Sequence, residues 1–308
     1  MCNFFSCIVT ENGDALFDPI SDSHEIIISN NAKNYDLSDD TADPAELKFA
    51  RVEILPPNDD VFQPVDKWDF TIDQRIIPAW WSEFHKKQAY DCLNTFLDSV
   101  LLKDKKIQEL STGRYWVRDC QIAELKGDVL IVKMLGSSQV GEMRGSSQIR
   151  EMWGSSQVDM MRGSSQIREM WGSSQVDMMR ESSQVGEMWG SSRIHEMWGS
   201  SQVGMMLGSS QVGVMRESSQ VGMMRGSSQI REMWGSSQVG EMRKSSQVGV
   251  MRESSQVGMM LGSSQVGVMR ESSRIHEMWG SSQVGMMLGS SQVGVMRESS
   301  WIHIRKNG

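Results

Sequence analysis

From Gly136 to Lys306 a Val or Ile recurs every nine residues, with a Ser two residues before it and, in eighteen of nineteen consecutive units, a Met three residues after it. The first unit, GSSQVGEMR, sets the template: Ser at positions two and three and an aliphatic residue at position five are constant, while positions one, six, seven and nine drift. An uninterrupted short period of this kind predicts a solenoid, and the constant positions are those a coil buries, because stacked equivalent side chains tolerate little change of volume. In a straight strand Ser138 and Val140 share a face, but Met143 lies an odd number of residues further on and points away. A bend is therefore expected at Gly141 and Glu142, where Gly fills position six in most units, and a second near Arg144 to Ser146. A helix is disfavoured, since every unit carries two serines and usually glycine, at roughly 0.5–1 kcal/mol each against Ala.

Nine residues are too few to close a coil around Val and Met, so two units per coil are expected, with a triangular coil of three units as the competing geometry. Ten coils at about 4.8 Å per stacked strand make a rod on the order of 50 Å. RDCQIAELK (118–126) and GDVLIVKML (127–135) fit the template loosely and read as an N-terminal cap, and WIHIRKNG (301–308) as a C-terminal one. Choices within a unit are coupled: in the full units, Ile at position five brings Arg or His at six, Glu at seven and Trp at nine. Ser191–Ser219 and Ser272–Ser300 are identical over 29 residues. Recent duplication accounts for both. The copies are nine units apart, an odd number, so a two-unit coil places them on opposite faces, which speaks against a single dedicated binding stripe.

The preceding segment differs in kind. Residues 1–135 carry 14 Lys and Arg against 24 Asp and Glu, a net charge of −10, whereas residues 136–308 carry 17 against 15. NFFSCIVT and ALFD flank a turn at Asn12, Gly13 and Asp14; KFARVEIL and KWDFTI read as further strands. Trp81 to Lys103 reads as a helix with Ala89, Leu93, Phe96, Leu97, Val100 and Leu101 on one stripe, and the Asp-rich stretch Asn34 to Pro44 as a loop. The predicted organisation is an acidic α+β head over 1–117, degenerate capping repeats over 118–135, an all-β solenoid (β-helix) of nine-residue repeats over 136–306, and a tail at 307–308.

Composition narrows the function classes. No run of about eighteen apolar residues is present, and MCNFFSCIVT has neither a basic leader nor a cleavage site, so the expectation is a soluble chain, cytoplasmic or virion-associated, without membrane contact. Cys2, Cys7, Cys92 and Cys120 show no metal-ligand spacing with the five histidines, which predicts reduced thiols, no metal and no cofactor.

Three groups of residues could carry chemistry. Cys2 becomes N-terminal on removal of Met1, the position of the nucleophile in hydrolases that use their own terminal amine as base, but Asn3 and Phe4 depart from the Gly and aliphatic residue usual there. His195, His276 and His303 recur at position six and could gather a metal, or could be solvated corner residues standing in for Arg. At position nine Trp153, Trp171, Trp189, Trp198, Trp234 and Trp279 alternate with Arg and Leu and could form a surface ladder that stacks on bases or sugars, or could stack on one another.

Taken with the head segments NFFSCIVTENGDALF, DSHEII and IPAWW, the repeat resembles that of a group of uncharacterised phage and bacterial proteins with short pentapeptide-like tandem repeats of the type Asn-Ser-x-Val-x-x-Met behind a small N-terminal head. Here Ser replaces the Asn that precedes the invariant Ser, so any Asn ladder is absent. The resemblance implies phage or mobile DNA as the source and carries no activity. The leading expectation is a non-enzymatic structural or interaction protein, a rod displaying a small head to a protein partner. The alternatives are a DNA-mimicking or nucleic-acid-binding repeat protein, which the near-neutral repeats disfavour, a Cys2 hydrolase head on a scaffold, and an ice-binding surface, for which rows of Thr are lacking.

Overall fold

The computed structural model describes residues 4–19, 21–37 and 41–306. It divides into two compact units, Met1–Leu101 and Leu102–Gly308. The first is a small α+β region and the second a parallel β-solenoid of about 11 turns.

In the first unit β1 (Phe5–Thr10), β2 (Ala15–Leu16), β3 (Phe49–Leu55) and β4 (Asp69–Ile72) form an antiparallel sheet in the order β2-β1-β3-β4. The β1–β2 turn closes through Thr10 N–H donating to the Asp14 carbonyl at 3.0 Å, with Gly13 at φ 87°. Every residue of β1 is buried because both faces are covered. Ile8 packs with Ile27 of α1 (His24–Asn31), while Phe5 and Cys7 meet Phe96 and Cys92 of α2 (Glu83–Val100). The stripe of α2 is buried from Ala89 to Val100 as its spacing requires, but the helix stops before Leu101, which is extended. Helix α1 has only Ile27 and His24 buried, too weak a periodicity to announce a helix in the sequence.

The second unit opens with β5 (Leu101–Lys103), β6 (Lys106–Arg118) and β7 (Gln121–Leu135). One strand per unit follows, from β8 (Gln139–Met143) to β26 (Trp301–Lys306). Each residue pairs in parallel with the one eighteen positions on: Gln139 with Gln157, Val140 with Val158, Met143 with Met161. That offset establishes two units per coil and removes the triangular alternative. The bend expected at Gly141 and Glu142 falls within a single strand that runs from Gln139 to Met143, and the ladder omits position six, so Val140 and Met143 both face inward. The bend is an arc inside the strand. The other turn falls at positions one and two as expected.

The array also begins earlier than its sequence template suggested. Ile107 and Leu110 of β6 pair with Ile122 and Leu125, so residues 118–135 are interior coils rather than a cap, and the solenoid takes in residues that the sequence reading gave to the head. The three-residue spacing of Ile107 and Leu110 repeats that of Val140 and Met143; the polar residues around it concealed the match. At the far end Ile302 pairs with Val284, while Met296 stays 40% exposed.

Between the two strand stacks lies one continuous core of position-five Val or Ile and position-eight Met, almost wholly buried from Val140 to Met287. Methionine suits this place, since an unbranched side chain can stack on its own copy without a fixed rotamer. The position-three serines are buried as well. Ser138 and Ser156 donate to the carbonyls of Leu135 and Trp153, both at 2.7 Å. Sixteen further position-three hydroxyls have no partner in their observed rotamers. Left so, at about 1–3 kcal/mol each, they would outweigh the whole stability of an ordinary domain, about 5–15 kcal/mol, so rotation onto the carbonyl three residues upstream follows.

Position one requires a left-handed backbone: Gly145 has φ 65°, and Glu181, Glu217, Lys244, Glu253, Glu271 and Glu298 lie between 55° and 58°. Glutamate is tolerated there because its carboxylate reaches back one coil. Glu181 accepts from Gly163 N–H at 2.8 Å, Glu217 from Gly199 at 2.9 Å and Glu298 from Gly280 at 2.8 Å, offsetting a backbone cost of about 1 kcal/mol.

Val212 is 1% exposed in mid-array, and Val212→Asp is expected to lower stability by several kcal/mol and split urea unfolding into two transitions, because each coil touches only its neighbours. A single unshifted transition would contradict the core assignment. Excising Gly199–Arg216 removes one coil in register and is expected to leave the circular dichroism per residue unchanged. Excising Gly199–Leu207 exchanges the faces of every later unit, and its melting temperature is expected to fall further.

Candidate interaction surface

The alternate strands from Arg193–Met197 to Gln283–Leu288 carry a shallow groove of about 720 Å³ that crosses six successive coils. Its shape follows from the unit. Position four points outward and supplies one wall, formed by Arg193, Gln211, Gln229, Gln247, Gln265 and Gln283. Position six supplies the floor, where Gly213, Gly249, Gly267 and Gly285 leave the backbone bare. A Cβ on Gly267 would stand 2.6 Å from the Gly249 carbonyl oxygen, and one on Gly285 2.6 Å from that of Gly267, so glycine keeps the floor both open and close-stacked. His195 and Arg231 interrupt the floor on the same face. The groove residues at position four were not singled out in the sequence, although Gln in sixteen of nineteen units was a signal for them.

The charge along the groove is uneven. The Arg231 guanidinium is 75% exposed and only 3.8 Å from Glu232, whose carboxylate already accepts from Trp234 Nε1 at 2.9 Å. Glu196 is likewise engaged by Trp198 Nε1 at 2.7 Å. Glu196 and Glu232 are thus engaged at the solenoid edge, Asp177 lies 3.8 Å from His195 at one end of the groove, and Arg193 and Arg231 supply its guanidinia.

The six tryptophans divide between two edges. Trp153, Trp171 and Trp189 form a parallel stack with centroids 5.0 and 4.8 Å apart, and Trp279 lies further along that edge beneath Arg297 at 4.5 Å. On the other edge Arg216 sits over Trp198 at 4.7 Å, and Arg252 over Trp234 at 4.3 Å. Each indole N–H donates to the Glu two residues before it, at 2.7–3.0 Å. Positions seven and nine share a side of the strand, which gives the Glu–Trp coupling a physical reason beyond duplication. Where Arg takes position nine behind Glu the same bond forms: Arg144 to Glu142 and Arg243 to Glu241, both at 2.6 Å. The Arg144 hydrogen bond holds the Glu142 carboxyl below its ordinary range. Each of the six rings lies against a neighbouring ring or guanidinium, and Trp153 stays 39% exposed.

The three histidines are not brought together. His195 faces the groove, His276 lies on the opposite face 3.3 Å from Gln256 Oε1, and His303 sits in the last strand against Trp301. Cys2 lies outside the described residues. Cys7, Cys92 and Cys120 are buried free thiols. Cys7 is pushed well up by its hydrogen bond with Cys92 and by burial, and Cys120 is raised by burial. Among the described residues no helix is long and apolar enough to cross a membrane.

A thiol whose folded pKa is raised binds its proton more tightly than the unfolded chain does. Its contribution is fully present below the unfolded value, about 8.5, and is lost as pH rises toward the folded one. Urea unfolding is therefore expected to show stability declining above about pH 8.5, and Cys7→Ala to flatten that decline. A decline unchanged in Cys7→Ala would place its origin elsewhere.

Comparison of the chain with protein-family models, with curated proteins and with solved structures finds no match.

Proposed function

We propose that the chain is a non-enzymatic interaction protein whose solenoid holds an extended acidic segment of a partner protein in the groove from Arg193 to Gly285, the head being what the rod displays. The observation that carries this reading is the groove itself, a bare-backbone channel spanning six coils and walled by amides. The strands pair along the ladders at positions four, five, seven and eight, and recognition is assigned to the Gln amides and to the two guanidinia. Arg193 at position four and Arg231 at position six belong to strands two coils apart on one face, about 9.6 Å along the rod at ~4.8 Å per coil and two residues apart across the strand. An extended segment in the polyproline II conformation repeats every three residues with a rise of about 9.3 Å, which brings every third side chain to the same side in step with that spacing. Carboxylates three residues apart would meet both guanidinia, where bidentate pairing gives orientation as well as attraction. The near-neutral solenoid supports a protein partner over mimicry of duplex DNA, which needs a dense acidic face. Carriage by a phage or other mobile DNA belongs to the same reading.

The test is fluorescence anisotropy of the full chain with a labelled (Glu-Pro-Pro)5 peptide at low salt. Binding is expected to weaken by about tenfold for Arg193→Glu and again for Arg231→Glu, and to fall with added salt. Gly267→Gln, which places a side chain on the floor, is expected to weaken it as well. No binding, or equal binding by the chain and both charge-reversal variants, would reject this function.

A further inference from the structure

A second constellation lies in the head, independent of the groove. His24 opens α1, Glu53 lies in β3, and Asp73 follows β4. The β3–β4 ladder brings the two carboxylates together: Glu53 pairs with Thr71, and Asp73 N–H donates to the Arg51 carbonyl at 2.8 Å. Glu53 and Asp73 are thus diagonal neighbours on one side of the sheet, within reach of a shared ligand. One ligand atom from each of the three residues lies within 4.8 Å of the others.

The histidine supplies the directional information. His24 is 6% exposed, and its Nε2 is 3.1 Å from the Val52 carbonyl oxygen. A carbonyl only accepts, so Nε2 carries the proton, and in the neutral ring Nδ1 presents a lone pair. That lone pair faces another acceptor, Asp73 Oδ2, at 3.4 Å. These two electron-rich atoms, one on a buried ring and one on a half-exposed carboxylate, repel unless a proton or a metal cation lies between them. The tautomer fixed by a backbone carbonyl, with the second nitrogen aimed at a carboxylate pair, is also the usual posture of a metal-ligating histidine.

We propose that His24 Nδ1, Glu53 and Asp73 bind one divalent cation of borderline character, Zn²⁺ foremost. One imidazole and two carboxylates suit that ion in donor type and neutralise its charge. Tetrahedral Zn²⁺ with bonds of about 2.0–2.2 Å places its ligand atoms about 3.4 Å apart, so the carboxylates must close in slightly. The side chain of Asp73 is 53% exposed and free to do so. Three protein ligands leave the fourth position to water.

The test is isothermal titration of the EDTA-treated, dialysed full chain with ZnCl₂ at pH 7.5. One ion per chain is expected, with affinity reduced at least about tenfold in His24→Gln and in Asp73→Asn. Glu53→Gln preserves shape at a half-buried position and is expected to weaken binding as well, which covers the case in which His24→Gln fails to fold. The triple variant His195→Gln, His276→Gln, His303→Gln is expected to bind as the parent does. No uptake would overturn the proposal. Binding undiminished in the three head variants would overturn it too, by assigning the ion elsewhere.

Discussion

Every feature of the solenoid depends on the parallel ladder that sets each residue against its own counterpart eighteen positions away. Like stacks on like at about 4.8 Å, so a side chain is acceptable only if it packs against a copy of itself or a near relative. Inside, this selects Val or Ile at one position and Met at another, and buried volume leaves little room for change. Outside, the same constraint turns single residues into rows: amides at position four, glycines or arginines at six, indoles and guanidinia at nine. The rows, rather than any individual residue, are what such a rod can offer a partner.

The ladder also explains what first looks like drift. Position one needs a left-handed backbone, which glycine adopts freely and which Glu sustains by accepting an N–H from the coil before it. Position nine exchanges Trp and Arg because both present a flat face to a flat neighbour and both donate to a Glu two residues earlier. The two substitution patterns are therefore solutions to local geometry. Duplication spread them, and the odd nine-unit offset carried Trp198 and its copy Trp279 to opposite edges without loss of either contact. A structure whose two faces obey the same rules accepts such an exchange.

The head follows different physics. Its central strand is buried on both sides by two helices, and its polar residues are placed by non-local pairing. His24, Glu53 and Asp73 are at least twenty positions apart along the chain, and only the β3–β4 register together with the seating of α1 makes them neighbours. No spacing motif could have announced them. The groove lies between these extremes: the glycines at position six and the glutamines at four were visible as a pattern, but which six coils share a face was not.

What the sequence determined by itself is the identity of the repeat, the burial of Ser138, Val140 and Met143 and their copies, the turn near Arg144 to Ser146, and the α+β character of the head with the apolar stripe of its long helix. These follow from periodicity and composition, which are local or strictly repeated. Tertiary structure alone decided that the bend at position six lies within one continuous strand, that Ile107 and Leu110 already belong to the rod, that the tryptophans divide between two edges, and that His24 points its second ring nitrogen at Asp73. Each of these depends on which residue lies one coil or one strand away, a distance the chain closes only by folding, because hydrogen-bond register and close packing act through space and not along the sequence.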